Sequence, residues 1–136
     1  MAKATGLGWT TLTVDTILGN DNVDIRNDVT NLQFSTPRAT TDVTGIDKMA
    51  TERLLLLADF SITLSGQWNT ALAHTVFKSV PTFTNQNLRT TAMTVNTANM
   101  TNEVWYTDYS ITRAAGGDLN WSAPGVLGDG TVPAWT

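Results

Sequence analysis

From Thr10 onward hydrophobic and polar positions alternate. Leu12 and Val14 fall on one side of an extended chain, and Thr11, Thr13 and Asp15 on the other. This is the period of a strand with one face on a core. Gly19-Asn20-Asp21-Asn22 is a cluster of turn formers, residues that tolerate positive φ and hydrogen-bond their own backbone. A second strand is expected from Val23, with a break at Asn27-Asp28, continuing through Leu32 and Phe34. Pro37 ends that register because it has no N–H for a ladder. The polar stretch Thr36 to Gly45, within a loop region 36–47, reads as a long loop or an exposed hairpin. Asp47 stands where it would cap a short helix over Lys48 to Arg53.

The clearest alternation runs from Leu54 to Trp68. Phe60, Ile62, Leu64 and Trp68 face one way, with Asp59, Ser61, Thr63, Ser65 and Gln67 opposite, which predicts one long strand. The run Leu54 to Leu57 breaks the alternation and predicts an end covered on both faces. Leu72, Val76, Phe77 and Val80 have helical spacing, with Asn69 or Thr70 as N-cap and Pro81 as breaker, so a helix is expected over Ala71 to Val80. Further strands are expected at Leu88 to Val95, Val104 to Arg113 and Leu119 to Ala123, with Ala115-Gly116-Gly117-Asp118 as a hairpin turn. The sum is a mainly β single domain over 1–136, an antiparallel β-sandwich or barrel with one short flanking α-helix. Residues 1–9 and 125–136 are expected to be an N-terminal and a C-terminal arm.

Composition agrees. The 136 residues are 41% hydrophobic and 15% charged, enough apolar matter for one core. Threonine is abundant, and its branched Cβ suits a pleated surface. Net charge is −4, and the lysines and arginines are scattered without a run. A sequence-independent grip on nucleic acid needs such basic residues clustered. No cysteine is present, which removes disulfides, thiolate metal sites and cysteine nucleophiles. The first residues lack the apolar core of a signal peptide, and the longest apolar run, Leu54 to Ala58, is far too short for a membrane span. Folding in a cytoplasm, with no membrane partner, is expected.

Catalytic chemistry finds little to work with. His74 is the single histidine, within the expected helix, and its ordinary reading is a solvated or half-buried helix residue. No Gly-x-Ser-x-Gly appears, and Gly6-Leu7-Gly8 has no strand ahead of it. Asp21, Asp24 and Asp28 could supply oxygen ligands to Ca²⁺, but they lack the spacing and terminal glutamate of a calcium loop and read as a solvated turn. No enzyme, cofactor or metal is expected. Five tryptophans stand out: Trp9, Trp68, Trp105, Trp121 and Trp135. Trp68 and Trp105 read as core filling. Trp9 and Trp135 sit in the arms and need a surface to bury against, either the parent domain or a neighbouring subunit.

Several stretches, taken in order, resemble the tail tube (major tail) proteins of long-tailed bacteriophages, most closely those infecting actinobacteria. They are Asp24-Ile25-Arg26-Asn27-Asp28, Phe34-Ser35-Thr36-Pro37-Arg38, Asp42-Val43-Thr44-Gly45, Glu52 to Phe60, Leu119 to Pro124 and Asp129-Gly130-Thr131-Val132-Pro133. The resemblance implies a β-sandwich subunit, six of which form a ring whose inner strands close into a barrel. Stacked rings make a hollow tube that conducts double-stranded DNA into the host. It implies a virion protein assembled in the host cytoplasm, with tail tip, tape measure and tail terminator proteins as partners and DNA passing without specific binding. Candidate lumen-facing residues are then Asn31, Gln33, Ser35, Asp59, Ser61, Thr63, Asp108 and Ser110, with Tyr106 on the face of the last two; the same faces read equally as an ordinary solvated exterior. Candidate intersubunit anchors are Trp9, Pro37, Arg38 and Trp135. A capsid decoration protein is the alternative reading.

Overall fold

The computed structural model describes residues 5–136; the first four residues of the expected N-terminal arm lie outside them. In chain order the elements are β1 (Trp9–Val14), β2 (Val23–Asp24), β3 (Asn31–Ser35), β4 (Arg38–Asp42), β5 (Arg53–Ala58), β6 (Ser61–Gln67), α1 (Ala73–Phe77), β7 (Arg89–Val95), β8 (Ala98–Tyr106), β9 (Ser110–Arg113) and β10 (Leu119–Leu127). The fold is mainly β, and its strand pairs are antiparallel.

The main sheet has the order β2-β1-β7-β8-β10-β6-β3, with β9 also on β10. β10 changes partner along its length: Leu119 to Ser122 pair with β9, and Gly125 to Leu127 with β8. Pro124 sits at the handover. Its carbonyl accepts from Thr107 N–H at 3.2 Å. The N and C=O of one strand residue point to the same side, so the N–H that proline lacks falls where β8 has ended and β9 has not begun. The sheet rolls up until its ends meet. Trp9 of β1 packs edge-to-face on Phe34 of β3 with ring centroids 6.5 Å apart, although these strands lie near opposite ends of the order.

Inside the roll, Leu12, Val14, Ile62, Leu64, Met93, Val104, Trp121 and Ala123 from the strands meet Ile25, Val76 and Phe77. Phe77 packs at a tilt on Trp121 and edge-to-face on Tyr106, at 5.5 and 4.9 Å between centroids. Arg89 is buried among them. Its guanidinium donates to the Val76 carbonyl, to Ser79 Oγ at 2.6 Å and to Gln86 Oε1 at 2.6 Å, tying the C-terminal end of α1 to β7.

The structure redraws several elements. No helix forms over Lys48 to Arg53; a turn there leads into β5. The expected strand from Leu54 to Trp68 is two strands in two sheets, broken at Asp59-Phe60. β4 and β5 continue β3 and β6 as a two-stranded ribbon, so the region 36–47 is largely one arm of a hairpin. The Asp59 N–H donates to the Pro37 carbonyl at 2.9 Å and carries the pairing across the kink. Val104 to Arg113 is likewise split, between β8 and β9. The first half of β8 has weak alternation and was not expected; it returns from β7 through Asn96 and Thr97, both at positive φ as a tight hairpin turn requires. The helix is shorter than expected. Its N-cap position is Leu72, at φ +43°, rather than Asn69 or Thr70. Trp9 belongs to β1 rather than to an arm, and Gly125 to Leu127 belong to β10.

Candidate functional site

Strand register brings the polar positions of four strands onto one outward face. Asn31 of β3 stands opposite Ser65 of β6, Ser65 opposite Ser122 of β10, and Ser122 opposite Ser110 of β9. Parallel rows join Gln33, Thr63 and Pro124, and Gln67, Asn120 and Thr112. Ser35 faces Ser61 with their hydroxyls 2.9 Å apart. Six of the expected lumen-facing residues, Asn31, Gln33, Ser35, Ser61, Thr63 and Ser110, therefore share a face. None of the residues in these rows is charged. Ser65, Gln67, Asn120, Ser122 and Thr112 complete it; Ser65 and Gln67 follow from the alternation that marks Ser61 and Thr63.

Two aspartates are not part of these rows. Asp59 lies in the kink between β5 and β6, where Oδ1 accepts from Phe60 N–H at 2.7 Å. Asp108 lies in the bend between β8 and β9, accepting from Tyr109 N–H at 2.9 Å. Tyr106 does not share a face with Ser110. It points into the core, its hydroxyl 2.8 Å from Thr91 Oγ1, and burial pushes its phenol well above the ordinary range.

The β4–β5 ribbon has the opposite character. Leu54, Leu55, Leu56 and Leu57 are all exposed, Leu57 by 88%, and Ile46 and Met49 at the ribbon's end are fully exposed. The expectation that this leucine run is covered on both faces fails within one chain, because no other layer reaches the ribbon. Pro37 and Arg38 form its root, and Arg38 Nε donates to the Leu56 carbonyl at 2.9 Å. Four consecutive exposed leucines form a patch that calls for a partner.

Trp9 and Trp135 find a surface on their own chain. Both pack on Phe34, with centroids at 6.5 and 5.9 Å, and Phe34 rests on Phe60 at 6.1 Å. Thr136 exchanges two backbone bonds with Asn99, at 2.9 and 3.1 Å, while Trp135 stays half exposed. Trp105 lies on the outward side of β8 and is partly exposed rather than in the core.

The acidic trio is dispersed. Asp21 accepts from Thr16; Asp24 pairs with Arg26 at 2.9 Å, which holds its carboxyl below the usual range. Asp28 is buried, its carboxylate accepting from Asn69 Nδ2 at 2.6 Å and from Ala73 N–H at 3.0 Å. His74 Nδ1 lies 3.0 Å from the Tyr109 hydroxyl, which accepts from Trp68 Nε1 at 3.1 Å. Among the described residues, no group of three or more His, Asp or Glu is placed to hold a metal ion. No helix among them is long and apolar enough to cross a membrane.

No family model matches the sequence, and no curated protein matches it. Solved structures do match. A chain in the virion of a native gene transfer agent particle superposes with a TM-score of 0.74 at 14% identity, covering 99% of both chains. A chain in the tail of an empty gene transfer agent particle, of C6 symmetry, does so with a TM-score of 0.74 at 15% identity over the same shares. The fold is shared end to end. At this identity the likeness is one of architecture.

Proposed function

We propose that the chain is a structural subunit of a phage-type tail tube: six copies form a ring, and rings stack into a conduit for DNA. The observation that carries the reading is the end-to-end likeness of fold to a chain from a C6-symmetric tail, with 99% of each chain covered. Two features of the chain support it. The uncharged face of β3, β6, β10 and β9 suits a lumen wall, since each Lys or Arg there would add a phosphate contact and retard sliding. The exposed leucine ribbon suits a bridge to a neighbouring subunit, and Pro37 and Arg38 at its root would be drawn into the same contact. Contacts between unlike surfaces propagate without closing along one direction, as a tube requires.

In this reading the protein is a virion component without catalytic function, assembled in the host cytoplasm. Its partners are other copies of itself and, at the ends and inside the tube, tail tip, terminator and tape measure proteins. Negative-stain microscopy of the purified, concentrated protein tests it. Rings or tubes of uniform bore are expected. A chain that stays monomeric at high concentration, or decorates a preformed shell, contradicts it.

A further inference from the structure

The sequence holds four methionines, and the fold places them very differently. Met93 and Met100 face each other across β7 and β8 inside the core, 1% and 2% exposed. Met49 stands at the end of the β4–β5 ribbon and is fully exposed. Met1 lies outside the described residues. The turn that carries Met49 is held by its own hydrogen bonds. Val43 N–H donates to the Glu52 carbonyl at 2.9 Å, and Lys48 N–H to the Gly45 carbonyl at 3.1 Å. Thr44 Oγ1 accepts from Glu52 N–H at 2.8 Å and donates to Asp42 Oδ1 at 2.5 Å, which joins the two arms. Met49 and Ile46 are thus presented at a defined place, on the same ribbon as the four exposed leucines.

A thioether in water is open to two-electron oxidants, whereas one packed in a core is shielded. With hydrogen peroxide, the sulfur lone pair attacks one peroxide oxygen and the O–O bond breaks. The departing hydroxide takes up the remaining proton and leaves as water. Sulfur is oxidised by two electrons, and peroxide is reduced by two. A flexible apolar side chain becomes a polar sulfoxide. In the tail-tube reading, on which this inference rests, a neighbouring copy covers the ribbon. A sulfoxide oxygen enclosed there without a donor opposes that contact.

We infer that Met49 is an oxidation site, and that its conversion to the sulfoxide weakens assembly through the ribbon while leaving the fold of the chain intact.

Peroxide treatment of the free chain and of its assemblies, followed by peptide mass mapping, tests the inference. Met49 is expected to gain oxygen first in the free chain and about tenfold more slowly in the assembly, with Met93 and Met100 unmodified in both. The oxidised chain should keep its urea midpoint, and its critical concentration for assembly should rise about tenfold, an effect reversed by methionine sulfoxide reductases. Met49→Gln, polar without oxidation, should reproduce the loss. Met49→Leu, compared with itself before and after peroxide, should show no change in assembly, which assigns the effect to this sulfur rather than to Met1 or a tryptophan. Three outcomes overturn the inference: Met49 oxidised equally fast in the free chain and the assembly, an oxidised chain that assembles as readily as the untreated one, or a Met49→Leu chain that loses assembly to peroxide. If the untreated chain forms no assembly, the tail-tube reading falls and the inference with it; rings in which Met49 stays fully reactive remove the inference only.

Discussion

Gly66 of β6 lies directly against Asp28: a Cβ on Gly66 would come within 1.9 Å of the Asp28 carbonyl oxygen. The same oxygen accepts from Trp121 Nε1 at 3.2 Å, and the Asp28 carboxylate holds Asn69 and the first turn of α1. One buried residue thus ties β6, β10 and α1 together. A helix of five residues cannot hold itself, so its position depends on such tethers.

Gly66→Ala is therefore expected to destabilise the monomer by about 2–4 kcal/mol, because the added methyl meets backbone that cannot yield locally. Asp28→Ala should cost about 1–3 kcal/mol, by stranding the buried Ala73 N–H and releasing the exposed Asn69 amide to water, and Asp28→Asn less, since one acceptor oxygen remains. Urea titration of the unassembled chain checks the order.

Both tyrosines of the chain have phenols shifted up by burial, Tyr106 the more strongly. A folded-state pKa above the unfolded value contributes stability that is complete below the unfolded pKa and lost as pH rises beyond it. Stability is expected to hold up to about pH 10, the ordinary tyrosine value, and to fall above it. Tyr106→Phe should flatten that fall, while costing about 1 kcal/mol at neutral pH for the lost Thr91 bond. Chemical denaturation at a series of alkaline pH values, with tyrosinate absorbance as a second probe, measures both.

The uncharged face can be given charge. Gln33→Arg with Thr63→Arg adds two cations to outward positions, where the fold has room. Monomer stability should fall by about 0.5–1 kcal/mol, since the two residues stand directly opposite in the ladder and like charges there repel. Tubes bearing the pair should retain double-stranded DNA in a salt-dependent manner and slow its passage, whereas unmodified tubes do not. DNA release from particles at two ionic strengths reads the difference.

The ribbon separates assembly from folding. Leu55→Asp with Leu57→Asp should leave monomer stability within about 0.5 kcal/mol, because these side chains touch little of their own chain. Assembly should be abolished or weakened at least tenfold in critical concentration, read by sedimentation.

Much of this architecture is legible in the sequence. Alternation located the cores of β1, β3, β6, β7 and β10 and the outward set Ser61, Thr63, Ser65 and Gln67. It misled where two strands follow one another with no turn signal between them. Nothing in the residues from Leu54 to Trp68 signals the kink at Asp59, which lies opposite Pro37 of the neighbouring strand. Leu54 to Leu57 reads as doubly buried because pattern reports the need for cover and not which chain supplies it. Asp28 looks like one more polar turn residue; its role depends on Gly66, Trp121 and Ala73, contacts spread over the chain. Pro124 argues against a central strand until the handover from β9 to β8 shows which N–H is dispensable.

The central claim is a ring of six copies around a passage, and end-on electron microscopy of assemblies grown from the purified chain tests it most directly. The rotational power spectrum of end-on views is expected to peak at six-fold symmetry around a uniform central channel. A different fold of symmetry, or filaments without a channel, would contradict the account.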